Sequence, residues 1–377
     1  MVFSTAPLFI PLCKKDMSRY CAILLLSLLV WSCGLSEING VKQYGDQGIW
    51  GGPIEGTGSG AGVLESVCYV VAVDYAKGYD WRSDESHESV RCSLVVYADG
   101  TPIMKVPVGR SHQVSADSDM HRIVQGHLYT DYCLDGETII KRDGKFLFGY
   151  SGSERICNLM VIGDDVYTLG EGRQGAGFSL RRNGEVVLSR EKASVVSPLR
   201  FDGDSICFGF CEQIRNAEGA IDRYYSAYGN KVTNLSLRDD MQKVWDVCTV
   251  NGRSLVLASL KAVSQPVVVS EDDIVALSVP KGMSVVSCSM FMVGERVGVE
   301  GVCKTSAGVL KSAIWLDGNL FVMFDNMNIA SVCTDGEGVC CVLNPSTSQS
   351  SGIIYRCGEV YAMPKGYSCV GTESYPL

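Results

Sequence analysis

Apolar positions come in short runs along most of the chain, and turn-forming dipeptides separate the runs. LVVYADGTPIMKV, FSLRRNGEVVLS, AIWLDGNLFVM and IIYRCGEVYAM share one form: an apolar run, a dipeptide ending in Gly, and a second apolar run. Asn-Gly or Asp-Gly in that setting predicts a β-hairpin, because a type I′ turn needs positive φ at both central residues. The dipeptides form a series: Asp99-Gly100, Asp143-Gly144, Asn183-Gly184, Tyr228-Gly229, Asp272-Asp273, Asp317-Gly318 and Cys357-Gly358. Successive members lie 40 to 45 residues apart. A second series, at Gly126, Gly163, Gly203, Gly252, Gly294 and Gly336, falls between them. Its flanks are also strand-like, as in LMVIGDDVYTL and CTVNGRSLVLASL.

Two hairpins per unit make four strands, and seven such units predict an all-β fold, a seven-bladed β-propeller. Six or eight blades would follow if one degenerate unit were miscounted. A β-solenoid would have shorter coils and no hairpin turns. Helical or leucine-rich repeats need a 3.6-residue period, which the chain does not show. Runs such as SICFGF, GVCCVL and SVVSCSMFMV are apolar at every position, as expected of strands covered on both faces.

The two ends predict how the ring closes. SVCYVVAVDY near the N-terminus resembles the second strand of other units, so its own first strand is missing. YSCVGTESYPL at the C-terminus looks like a lone first strand. The C-terminal strand, residues 367–377, is therefore expected beside Ser66 to Asp74, closing blade one and removing an open sheet edge.

The N-terminus has a different pattern. CAILLLSLLVW, from Cys21 to Trp31, carries no charge and is preceded by Arg19. It is too short to span a bilayer and has the length of a signal-peptide core. It runs into Val30-Trp31-Ser32-Cys33-Gly34, which resembles a bacterial lipobox, with Trp31 departing from the usual small residue. The resemblance implies that residues 1–32 are a lipoprotein signal peptide and that Cys33 is lipidated. Met17 could serve as the true start. Residues 33–66 are Gly-rich and read as a tether, leaving 67–377 as the propeller.

Composition limits the function. Lys plus Arg is 33 against 42 Asp plus Glu, a formal charge of −9, so a nucleic-acid partner is not expected. Of the 17 cysteines, 14 fall in the body, nearly all in strand cores with no CxxC spacing, and they read as small buried hydrophobes. His87, His112, His121 and His127 match no ligand spacing, so no metal is expected, and no cofactor either. No GxSxG motif occurs. GEGRQGAG, from Gly170 to Gly177, lacks the Lys-Ser/Thr of a phosphate loop.

Polar residues that start otherwise apolar first strands form the candidate binding site at one mouth of the channel. They are His121, Asn158, Asp246, Ser289 and Ser331, with Arg155, Arg200 and Trp245 close by. The loops 74–90, 212–222 and 344–352 are expected on the same face. A two-carboxylate mechanism would pair Asp246 with a loop acid such as Asp84. No catalytic residue is assigned. The lipobox around Cys33 and the hairpins at blade spacing together resemble the exported lipoproteins of Bacteroidetes that carry propeller repeats. That resemblance implies a monomeric, lipid-anchored, non-enzymatic binding module of the outer membrane, with a glycan or an envelope protein as partner. The alternative is a carbohydrate-active enzyme, a glycoside hydrolase or lyase, with its site at the channel mouth.

Overall fold

The computed structural model describes residues 41–42, 66–75, 91–110 and 121–376. The last stretch has gaps at 135, 153, 173–176, 202, 217–218, 236–238, 251, 272, 294–295, 336–337, 347–351 and 364–366. The signal peptide, Cys33, most of the tether, His87, His112 and Asp84 lie outside the described residues. The chain divides into a unit of residues 1–43 and a unit of residues 44–377. In the first, the described element is a two-residue strand, β1 (Val41–Lys42).

Among the described residues the second unit is all-β: seven antiparallel sheets in a ring, with no helix. Blade 1 holds β2 (Ser66–Tyr75), β3 (Arg91–Ala98) and β4 (Thr101–Arg110). Blade 2 holds β5 (His121–Val124), β6 (His127–Leu134), β7 (Glu137–Arg142) and β8 (Lys145–Ser151). Blade 3 holds β9 (Arg155–Ile162), β10 (Asp165–Glu171), β11 (Phe178–Arg182) and β12 (Glu185–Arg190). In blade 4 the inner strand is split into β13 (Ala193–Val195) and β14 (Arg200–Phe201). Both parts pair with β15 (Ile206–Asn216), followed by β16 (Gly219–Tyr228) and β17 (Lys231–Asn234). Blade 5 holds β18 (Met241–Val250), β19 (Arg253–Leu260), β20 (Val263–Val269) and β21 (Ile274–Ala276). Blade 6 holds β22 (Met283–Val293), β23 (Arg296–Thr305), β24 (Leu310–Leu316) and β25 (Asn319–Asp325). Blade 7 holds β26 (Met327–Asp335), β27 (Gly338–Pro345), β28 (Ile353–Arg356) and β29 (Glu359–Ala362). The inner strand of blade 1 is β30 (Tyr367–Pro376), in the order β30-β2-β3-β4.

The turn dipeptides act twice. Asp99-Gly100, Asp143-Gly144, Asn183-Gly184, Asp317-Gly318 and Cys357-Gly358 all have positive φ at both residues, as a type I′ turn demands. The first residue of each turn then bonds back to the start of the blade's second strand. Asp143 N donates to Leu128 O at 2.7 Å while Asp143 Oδ1 accepts from Leu128 N at 2.9 Å. Asp99 repeats the pair with Cys68, Asn183 with Val166 and Asp317 with Val297. Asp and Asn tolerate the left-handed conformation and bring the extra acceptor, so the same residue shapes one hairpin and locks it to its neighbour. At Asp272-Asp273, Ser270 closes the corner through bonds to Asp273.

Both faces of each blade are core. On β2, Cys68, Val70 and Ala72 pack toward blade 7, and Val71 and Val73 pack toward blade 2; all five are fully buried. Strict alternation with apolar residues on both sides is what a strand between two sheets requires. Closure follows the expected register. β30 pairs with β2 from Asp74↔Tyr367 to Ser66↔Pro376. Side chains reinforce the seam: Arg356 on blade 7, 4% exposed, donates to Asp99 Oδ1 at 2.9 Å and to Ser66 O at 3.1 Å.

One expectation is corrected. Residues 212–222 are not a loop: β15 and β16 continue as a hairpin through Gln213↔Asp222 and Asn216↔Gly219. Gln213 and Asp222, paired across this extension, are both exposed.

Candidate functional site in the central channel

The inner strands share a device that aims their polar residues. Where β30, β9, β18, β22 and β26 pair with the second strand of their blades, the register skips Val370, Cys157, Trp245, Val286 and Ala330 respectively, and β18 also skips Gln242. Such bulges bend the strand and redirect the next side chain. The residues that follow are Gly371, Asn158, Asp246, Ser287 and Ser331. Asp246 and Ser331 each reach the inner strand of the next blade. Asp246 Oδ2 accepts from Met290 N at 2.6 Å, and Ser331 Oγ accepts from Thr372 N at 3.4 Å. In blades 5 and 7 the polar residue after the bulge is thus a backbone staple to the next inner strand.

Arg200, Asp246 and Ser289 do converge. Asp246, 1% exposed, accepts from Arg200 Nη1 at 3.1 Å, from Arg200 Nη2, from Ser289 Oγ at 2.9 Å and from its neighbour Val247 N at 2.7 Å. Arg200 also donates to Val247 O and Met290 O. The cluster ties blades 4, 5 and 6. Burial works against the charge on Arg200, but the Asp246 carboxylate outweighs it and holds the guanidinium above its ordinary value.

The other candidates are dispersed. Asn158 is fully buried, and neither amide atom has a partner among the described residues. Arg155 is exposed and paired with Glu171 at 2.9 Å. Trp245 donates to Ser259 Oγ at 2.9 Å, with Lys243 Nζ 3.1 Å from its ring centroid. Ser289 also faces a pocket of about 250 Å³ between blades 6 and 7. His121 is the first residue of β5 and pairs with Thr130.

The channel itself encloses about 480 Å³. Its wall comes from β30, β5, β9, β14, β22 and β26, mostly from the middle and C-terminal parts of these strands. Of the sequence candidates, Arg200 and Ser331 line it. The other polar lining residues, Arg122, Thr334, Thr372 and Glu373, were not singled out from the sequence. Glu373 accepts from Gln125 N at 3.1 Å, across from blade 1 to blade 2. Burial pushes its carboxyl up to about 7, against the opposing pull of that bond and of Arg122. Asp131, on β6 and 6% exposed, also rises to about 7 through burial, and its Oδ1 has no partner among the described residues. Glu373 was within reach of sequence reasoning: once YSCVGTESYPL is taken as an inner strand, its polar residues must face the axis or a neighbouring blade.

No protein-family model matches the chain, and no curated protein sequence matches it either. Solved structures do match. The β-propeller domain of the trilobed protease from Pyrococcus furiosus, which has an open velcro topology, is 11% identical with a TM-score of 0.51. The match covers 79% of this chain and 95% of that one. Pyrococcus horikoshii acylaminoacyl peptidase is 13% identical with a TM-score of 0.50, over 79% of this chain and 51% of the peptidase. The chain therefore spans about half the length of that peptidase. An acylaminoacyl peptidase in complex with Z-Gly-Gly-Phe-chloromethyl ketone gives a TM-score of 0.51 at 12% identity. At these identities the likeness is one of fold: this chain is similar to the propeller domains of other proteins, with blade 1 closed by its own C-terminal strand.

Proposed function

We propose that this propeller is a non-catalytic binding module of the bacterial cell envelope. A lipid on Cys33 tethers it, and the central channel takes its ligand, a glycan or a segment of an envelope protein. The observation that carries this reading is the chemistry of the channel wall. Polar and apolar surface share the wall about equally: it carries hydroxyls from Ser331, Thr334 and Thr372 and the guanidiniums of Arg122 and Arg200, and Glu373 is the one carboxylate among its described lining residues. Glycosidic cleavage uses two carboxylates across the scissile bond. Asp246, the acid on the neighbouring inner strand, commits its oxygens to Arg200, Ser289 and backbone N–H groups. A volume of about 480 Å³ with few convergent polar groups suits a small ligand or a short chain segment.

One observation favours a second reading, a carbohydrate-active enzyme. A carboxyl raised to about 7, as at Glu373, keeps its proton near neutral pH and suits a general acid. Its partner would come from the segment around Asp84. The test offers the full-length protein a panel of envelope polysaccharides and reads binding and new reducing or unsaturated ends in the same samples. Binding without product supports the module. Product formation that disappears in E373Q supports the enzyme.

A further inference from the structure

We propose that the closing seam of the ring is a redox site: Cys68 and Cys340 form a disulfide that joins blade 1 covalently to blade 7, and Cys333 admits the oxidant. The two residues lie 272 apart in sequence, yet their sulfurs are 3.3 Å apart across the interface between β2 and β27. Both are fully buried in one apolar cluster with Val70, Val342 and Ile354. A disulfide needs about 2.05 Å between sulfurs. The remaining approach of about 1.2 Å is within the reach of a modest χ1 rotation at either residue.

A third thiol connects this pair to solvent. Cys333 is the cross-strand partner of Cys340 in the β26–β27 ladder, is half-buried and lines the central channel. Thr372 Oγ1 sits among all three sulfurs, 3.7 Å from Cys68, 3.8 Å from Cys340 and 3.7 Å from Cys333. That hydroxyl donates to Tyr69 O at 2.9 Å, which anchors it at the seam. The hydrogen bond with Cys340, followed by burial, holds Cys68 well above an ordinary thiol. Cys340 is raised in the same way, first by its hydrogen bond with Cys333. Reagents in the channel therefore meet Cys333 first.

The chemistry is thiol–disulfide exchange with a disulfide oxidant, RSSR. The Cys333 thiol gives its proton to solvent and attacks one sulfur of RSSR, which releases RS⁻ and leaves a mixed disulfide. Cys340, losing its proton, attacks the Cys333 sulfur and expels the second RS⁻. Cys68, also losing its proton, attacks the Cys340 sulfur and returns Cys333 as a thiolate, which is reprotonated. Two protein thiols are oxidised to one disulfide and RSSR is reduced to two RSH. The buried, poorly ionised thiols place the internal steps on a scale of minutes to hours. The assignment is independent of what the channel binds.

The test treats full-length protein with oxidised glutathione or with dithiothreitol. Free thiols are then alkylated in acid denaturant and peptides mapped without reduction. The expected result is a peptide linking Cys68 to Cys340 and a melting temperature about 10 °C higher than in the reduced form. C68S should lose both. C333S should reach the same end point at least tenfold more slowly. Full alkylation of Cys68 and Cys340 after oxidation would overturn the disulfide, whether or not C68S folds. So would a link confined to Cys207 and Cys248, the thiol pair that bridges blades 4 and 5. A C333S protein that oxidises at the parent rate would overturn the entry route.

Discussion

Arg200 of blade 4 donates to Asp246 of blade 5 with both side chains inside the protein, the guanidinium 12% exposed and the carboxylate 1%. Removing one partner leaves the other as an uncompensated buried charge, which costs about 3–5 kcal/mol. Asp246→Ala should therefore lose about that much in urea unfolding. The double variant Arg200→Met/Asp246→Leu should lose less than the two single changes added together, because both charges go at once. A D246A protein with the parent's unfolding midpoint would show that the pair contributes no stability.

The seam gives a second expectation. β30 supplies the inner strand of blade 1, and Cys369 and Val370 are buried on its two faces. Deleting Tyr367 to Leu377 strips the whole ladder from β2 and exposes Val71 and Val73, each worth about 1.5–3 kcal/mol of burial. Insoluble protein, or a melting temperature lowered by well over 10 °C, is expected. A truncated chain that melts like the parent would refute closure as a source of stability.

These two sites differ in how far the sequence announced them. Blade count and closure were legible because turn chemistry is local. Asp99, Asp143, Asn183 and Asp317 sit where positive φ and a side-chain acceptor are both needed, and few residues satisfy both. The polar starts of inner strands were legible for the same reason, since an apolar strand interrupted by Asn158, Asp246 or Ser331 stands out. What those residues do was not. The bulges at Cys157, Trp245 and Ala330 decide where the following side chain points, and a bulge leaves no mark in the hydrophobic pattern. Nor does the sequence show that Arg200 crosses two blades, because that contact depends on ring geometry. Glu373 and Arg122 face the channel from strands at opposite ends of the chain, and only closure brings them to one cavity.

The envelope reading rests on Cys33 and has its own measurement. Two or more lipid chains hold a protein firmly to a bilayer. Cys33→Ser expressed in a bacterial host should leave the leader uncleaved by the lipoprotein pathway and should shift the cleaved protein, if any, out of the detergent phase. Metabolic labelling with a palmitate analogue checks the same point. Unchanged labelling and partitioning in the variant would place the anchor elsewhere.

Stability should fall as pH rises from acid to neutral, and two carboxyls should carry the effect. Glu373 moves from 4.5 to about 7 and Asp131 from 3.8 to about 7, both through burial. Between the lower and upper values the folded protein keeps a proton that the unfolded chain releases. Folding is then favoured below about pH 4 and loses that advantage as pH climbs to 7. A tenfold gain in proton affinity on folding is worth about 1.4 kcal/mol at most. Glu373 faces an open channel, so a combined loss of about 1–3 kcal/mol between pH 5 and pH 8 is the reasonable scale. E373Q keeps an acceptor for Gln125 N and carries no charge at any pH, and D131N does the same for its site. The E373Q/D131N double variant should therefore unfold at nearly the same urea concentration at pH 5 and pH 8, and should exceed the parent in stability at pH 8. If parent and double variant change by the same amount across that range, these carboxyls are ionised in the folded protein. Charge elsewhere would then govern the pH response.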